Sequence, residues 1–290
     1  MGVKIEKAAP SGFCSGVGRA LEIVTRVARE RGGVEMLGAV VHNARVMAEL
    51  EALGCRVVTS PADIRGGAVV TSAHGVSPEL EDELKRRGIE VISTTCPFVR
   101  RAQTAARELA RKGFLVVVYG EAAHPEVKGI LGWAGGPGIA TLDTGFLASL
   151  QPLPRRIGVV SQTTQVPAQF QRFIKKLVSA AFTQNSDFRL LDTICHDIRE
   201  RQAQAARLAT RVDLMLIVGG RESANTRHLA RLVARITPTH RVASAGEISQ
   251  SWLAGKQRIG VVGGASTPES ALEEVLSRLK ELTSDHGQSG

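Results

Sequence analysis

Short apolar runs alternate with amphipathic stretches along the whole chain. The runs fall at 3–5, 34–41, 56–59, 68–72, 90–93, 114–119, 139–141, 156–160, 188–191, 214–218, 242–243 and 258–262. Between them apolar residues recur at helical spacing, as at Val17, Ala20, Leu21, Val24 and Ala28, with Arg19, Arg26 and Arg29 elsewhere on the wheel. Helices are predicted at 16–30, 43–53, 77–87, 97–112, 125–133, 144–149, 167–182, 196–210, 224–236, 247–254 and 268–282. Strand, loop and helix repeated this often predict an α/β protein built on mainly parallel sheets. At 290 residues the chain exceeds the size at which one core keeps growing, so two or three lobes are expected.

Many of the apolar runs lead into loops of small polar residues or histidine. Val70-Thr71-Ser72 leads to Ala73-His74-Gly75, and Val118-Tyr119 leads to Gly120, His124 and Glu126. Val160 leads to Ser161-Gln162-Thr163-Thr164, Val218 to Gly219-Gly220 and then Ser223-Ala224-Asn225-Thr226, and Val262 to Gly263-Gly264-Ala265-Ser266-Thr267-Pro268. In parallel α/β sheets ligands bind beyond the carboxyl ends of strands, where helix N-termini offer unpaired N–H groups to anions. Such residues also serve as plain N-caps; Ser266-x-x-Glu269 fits a capping box. The recurrence of the pattern favours a shared anion site.

Composition narrows the ligand only partly. The formal charge of +9, from 37 Lys+Arg against 28 Asp+Glu, suits a small anion, an acidic protein or nucleic acid. Aromatic content of 4% supplies no stacking platform for single strands, so nucleic acid is not expected. No apolar run is long enough for a membrane span. No signal-type segment precedes the first run, which predicts a cytoplasmic protein, where cysteines are candidates for metal binding, catalysis or packing and not for disulfides.

Cys14, Cys96 and Cys195 each follow a predicted strand, spaced about one small α/β lobe apart. Cys14 opens a helix, whose positive end favours a thiolate. Gly12 and Gly16 beside it leave room next to the backbone. Cys55, in Leu53-Gly54-Cys55-Arg56, is assigned to packing. The chain has no Cys-x-x-Cys pair, which disfavours a zinc ribbon and a ferredoxin motif. Three readings stay open: zinc completed by a histidine, a [4Fe–4S] cluster with one open iron, or three buried structural thiols. His42, His74 and His124 fall in strand-end loops, whereas His196, His228, His240 and His286 read as surface or helix residues. Pro125 biases His124 toward an extended conformation, in which His124 and Glu126 face the same way and suit proton delivery. The alternative places Glu126 in a first helical turn.

Taken in order, Gly12-Phe13-Cys14-x-Gly16-Val17-x-Arg19-Ala20, Val41-His42-Asn43, Ala73-His74-Gly75-Val76, Thr95-Cys96-Pro97, His124-Pro125-Glu126-Val127, Gln162-Thr163-Thr164, Asp192-Thr193-Ile194-Cys195, Ser223-x-Asn225-Thr226 and Gly264-Ala265-Ser266-Thr267-Pro268 resemble the LytB/IspH family of 4-hydroxy-3-methylbut-2-enyl diphosphate reductases. The resemblance implies three α/β lobes arranged pseudo-threefold around one [4Fe–4S] cluster held by Cys14, Cys96 and Cys195. By chain order these lobes are 1–96, 97–191 and 192–283, with a disordered tail at 284–290. It implies that His42, His74, His124, Ser223, Asn225 and Ser266 grip the diphosphate. Thr163 would contact the hydroxyl end, and Glu126 would donate the proton that lets it leave as water. The products would be isopentenyl and dimethylallyl diphosphates, the last step of the non-mevalonate route, with a ferredoxin or flavodoxin as electron donor. Two other readings are a cluster-dependent hydro-lyase and a non-catalytic iron–sulfur sensor. The chain departs from the family pattern at Ala224, at His228 and at His196-Asp197-Ile198-Arg199.

Overall fold

The structure, a computed structural model, describes residues 2–150, 152–182 and 185–284. Twelve strands run in chain order among these residues: β1 (Lys4–Lys7), β2 (Glu35–Leu37), β3 (Arg56–Val58), β4 (Ala68–Thr71), β5 (Glu90–Ser93), β6 (Leu115–Tyr119), β7 (Gly138–Thr141), β8 (Arg156–Ser161), β9 (Asp187–Leu190), β10 (Leu214–Val218), β11 (Thr239–Val242) and β12 (Arg258–Gly263). The helices between them are α1 (Ser15–Arg31), α2 (Ala44–Ala52), α3 (Pro78–Arg86), α4 (Pro97–Arg111), α5 (Pro125–Ala134), α6 (Pro167–Ala181), α7 (His196–Ala209), α8 (Ala224–Val233) and α9 (Glu269–Ser284). The predicted helices at 144–149 and 247–254 are short 3₁₀ turns instead, Gly145–Ser149 and Gln250–Trp252. The predicted strand at 34–41 shrinks to β2 because Gly38, at φ 78, turns the chain away. Of the predicted tail, 285–290 lie outside the described residues.

The strands form three four-stranded sheets, ordered β3-β2-β4-β5, β7-β6-β8-β9 and β11-β10-β12-β1, with every pairing parallel. Written this way, each has the same topology: the second strand, the first, the third, then the fourth. The fourth place in the last sheet is taken by β1, from the other end of the chain. Lys4–Lys7 therefore pairs with Arg258–Val261, and not with the residues that follow it, where division by chain order puts it. Chain order cannot reveal this, because parallel pairing is set by which apolar faces meet, at any sequence distance.

Two compact units share these sheets. One contains residues up to Gly18, Val41–Glu49 and those from His196 on, and carries the sheet of β1, β10, β11 and β12. The other, Arg19–Val40 and Leu50–Cys195, carries the remaining two sheets. Burial on both faces explains the continuous apolar central strands. Leu214, Leu216 and Val218 of β10 pack with Leu272, Val275 and Leu279 of α9, while the alternate Met215 and Ile217 pack with Leu208 and Leu229 of α7 and α8. Strand β6 repeats the arrangement, with Val116 and Val118 facing α4 and α5 and Val117 and Tyr119 facing α6. Proline at the first helical position starts α3, α4, α5 and α6 at defined points. No helix among the described residues is long and apolar enough to cross a membrane.

Candidate active site

The shared topology gives the three cysteines one address. Cys14, Cys96 and Cys195 each follow the fourth strand of a sheet and immediately precede a helix, α1, α4 and α7. Each backbone N–H donates to a carbonyl two residues beyond the third strand of that sheet: Cys14 to Ala265 (2.9 Å), Cys96 to Ala73 (3.0 Å) and Cys195 to Thr163 (3.0 Å). Cys55 shares none of this and is buried, as a packing residue should be. The four cysteines are thiols, not disulfides. The Cys14 thiol is pushed up from its ordinary pKa by burial, which outweighs the N–H groups of Val17 and Gly16 and the charge of Arg201. The N–H groups at the helix start pull toward the thiolate, as expected, and burial is the larger effect. Among the described residues no three His, Cys, Asp or Glu side chains converge as a site for a single ion.

In the first unit, β10 and β12 end in loops that carry buried polar side chains, some of them unanswered. Ser223 is the N-cap of α8 and accepts from the N–H of Thr226 at 3.3 Å. Asn225, only 5% exposed, has no partner for either amide atom, and the Ser266 hydroxyl has none either. The capping box predicted at Ser266 is not made; α9 starts at Glu269, whose carboxylate bonds Lys7. Buried polar groups without partners are costly and are rare in folded proteins. His42 lies in the same unit, with its pKa lowered by burial. Its carbonyl passes so close to Gly220 that a Cβ there would lie 2.1 Å from the oxygen. Gly12 is required for its backbone, at φ 72, rather than for space alone.

The second unit brings His74, His124, Glu126 and Thr163 together. The rings of His74 and His124 meet edge to face, with centroids 5.2 Å apart. His124 is extended, at φ −68 and ψ 135, but it caps α5: its Nδ1 accepts the Glu126 N–H at 3.2 Å. Glu126 thus sits in a first helical turn, the alternative reading of this pair. Its carboxyl, 2% exposed, accepts from the Thr163 N–H at 2.6 Å and from Thr163 Oγ1 at 3.0 Å. Burial pushes its pKa up to about 7, against the opposing pull of the two Thr163 bonds. Thr163 therefore holds Glu126 through its N–H and hydroxyl and holds Cys195 through its carbonyl.

Two residues of the first unit escaped the sequence reading. Asp197, within the divergent His196–Arg199 run, accepts from Ser15 N–H at 3.1 Å and Ser15 Oγ at 2.7 Å, so it caps α1 next to Cys14. Arg201, one helical turn on, is buried against the loop that leads to Cys14. Their spacing, four apart on one helix, was the only signal available. His228, read as a surface or helix residue, is a buried helix residue; Ala224 is the buried first residue of α8 and offers no hydroxyl.

These features define a three-sheet α/β protein whose strand-end loops carry thiols, imidazoles and one enclosed carboxyl. The chain belongs to the LytB protein family, whose match runs over residues 5–280. It is 51% identical over 281 residues to 4-hydroxy-3-methylbut-2-enyl diphosphate reductase of Dehalococcoides mccartyi, covering 97% of this chain and 99% of that one. The enzyme of the same name from Geobacter sulfurreducens is 38% identical, covering 97% and 98%. A solved structure of (E)-4-hydroxy-3-methyl-but-2-enyl diphosphate reductase, the terminal enzyme of the non-mevalonate pathway, aligns at 34% identity and TM-score 0.69, covering 96% of this chain and 99% of that one. The reductase from Plasmodium falciparum, at 24% identity and TM-score 0.90, covers 96% of this chain and 88% of its own and shares the fold.

Proposed function

We infer that this chain catalyses reductive dehydroxylation of 4-hydroxy-3-methylbut-2-enyl diphosphate, the terminal step of the non-mevalonate pathway. Two electrons and two protons convert the allylic alcohol into isopentenyl or dimethylallyl diphosphate plus one water. The observation that carries the reading is Thr163, which ties a carboxyl with a pKa of about 7 to the anchor of Cys195. Cys14, Cys96 and Cys195 suit a [4Fe–4S] cluster, because three soft thiols occupy one repeated topological position and iron–sulfur centres take thiolates. When bound, the cluster would supply electrons and a Lewis-acidic open iron at the substrate hydroxyl.

The protein's own residues bind, hold and protonate. His42, His74, His124, Ser223, Asn225 and Ser266 grip the diphosphate; the unanswered amide of Asn225 and hydroxyl of Ser266 support this. Thr163 meets the hydroxyl end through Oγ1. Glu126, protonated near neutral pH, passes its proton to the departing hydroxyl, which leaves as water. Electrons come from an acidic ferredoxin or flavodoxin, for which the net charge of +9 is suitable, and the enzyme works in the cytoplasm.

Anaerobically purified protein should be brown, carry about four iron per chain, and turn over the hydroxylated allylic diphosphate with an artificial reductant. Colourless protein holding only zinc after anaerobic reconstitution would overturn the cluster. Product formed without any reductant would make the chain a hydro-lyase instead.

A further inference from the structure

The three helices that follow the cysteines differ sharply at one position. Six residues after its cysteine, α1 has Ala20 and α4 has Ala102, both fully buried; α7 has Arg201, 2% exposed. Burying a guanidinium is costly unless its charge and its N–H groups are answered. Its Nη1 donates to the carbonyls of Pro10 (3.0 Å) and Gly263 (3.1 Å), and its Nη2 to that of Gly12 (3.1 Å). Carbonyl dipoles answer those N–H groups but bring no opposite unit charge, and Nε has no partner at all. The two carboxylates that act on Arg201 from a distance are engaged elsewhere, Asp197 with Ser15 and Glu269 with Lys7. The acceptors belong to the segment entering Cys14 and to the end of β12, just before Ala265, which takes the Cys14 N–H. The guanidinium and the Cys14 sulfur also interact electrostatically.

We propose that Arg201 is a positioning residue that fixes the approach to Cys14 and holds a permanent positive charge beside the Cys14 edge of an iron–sulfur centre, raising that centre's reduction potential. The inference rests on the cluster reading above. Gaining one electron makes the centre one charge more negative, so a fixed cation nearby favours the reduced form. Arginine keeps its charge when buried, whereas lysine sheds its proton more readily there. The alanine-bearing helices α1 and α4 bring no such charge at this position, which makes the contribution local to Cys14.

The measurement is the midpoint potential of the cluster in the holoprotein, from a mediated reductive titration followed by electron paramagnetic resonance, with iron counted in every sample. Arg201→Gln keeps a neutral N–H donor and loses the charge. It should retain four iron and shift the reduction equilibrium about tenfold toward the oxidised form, which is about 59 mV for one electron. Arg201→Lys should recover at least half of that shift. An Arg201→Gln potential equal to that of the parent overturns the proposal. So does an Arg201→Lys potential as low as that of Arg201→Gln, because loop geometry alone would then explain both. If neither variant holds iron, the charge role is overturned, since lysine keeps a cation at this position and would then fail to preserve the centre. A parent protein that assembles no cluster overturns the underlying reading as well, so the two failures are told apart by the parent sample.

Discussion

Glu126 shows how one enclosed side chain links stability to chemistry. Below pH 4.5, its ordinary value, the carboxyl is protonated in both folded and unfolded chains. Between 4.5 and about 7 the folded chain holds a proton that the unfolded chain has shed, so rising pH favours unfolding. Above about 7 the penalty is complete, roughly 3 kcal/mol for a shift of this size. Glu126→Gln cannot ionise and escapes it. Denaturant midpoints should therefore diverge with pH, the variant matching the parent below pH 4.5 and exceeding it above pH 7. The same variant should keep its iron yet lose turnover by about 100-fold or more. In the parent, turnover should fall as pH rises through about 7, since the donor is the protonated form. Near-normal turnover in Glu126→Gln removes this residue from proton delivery. A first-turn place for Glu126 was legible in the sequence as the alternative to pairing with His124, but the enclosure that raises the pKa was not. Burial is a property of what packs around a residue, and Thr163 arrives from 37 positions away.

At the scale of elements, each sheet offers loops beyond its strands, and backbone contacts set where those loops lie. Gly220 is the tightest case, because His42 O would sit 2.1 Å from a Cβ there. Gly220→Ala must push the two backbones apart, taking His42 away from the loop before Ser223. The expected result is a KM for the diphosphate raised about tenfold or more, with a stability loss on the order of 1–3 kcal/mol. Steady-state kinetics and thermal melts read the two effects separately, and an unchanged KM means that the placement of His42 does not govern diphosphate binding. Alternating strands and helices were readable from hydrophobic periodicity, including all twelve strands to within a few residues. The two short 3₁₀ turns were not, since a few apolar residues at helical spacing do not supply the hydrogen bonds that sustain a helix. The membership of β1 was equally hidden. Its apolar pattern says that it is a strand, and only β12 says where.

For the whole molecule, the surplus of 37 Lys+Arg over 28 Asp+Glu matters through long-range attraction. An acidic electron carrier should be steered to a chain of net charge +9. Its kcat/KM should fall about tenfold or more from low to high ionic strength, as salt screens the attraction between the two proteins. Turnover driven by a small neutral reductant should change little over the same range. An equal response to salt with both reductants would mean that charge plays no part in recognising the donor.

By itself the sequence determined the α/β class, the succession of strands, the placement of Cys14, Cys96 and Cys195 after strands, and the family. These follow from local signals: periodicity, helix-starting prolines and short motifs in a fixed order. Only the tertiary structure decided that the cysteines share one topological position, that β1 completes the C-terminal sheet, and that Glu126 is enclosed. It alone placed Asp197 at the start of α1 and put a guanidinium where the other two helices carry alanine. Those facts depend on contacts between residues far apart in the chain, and local patterning carries no record of which distant surface a side chain will meet.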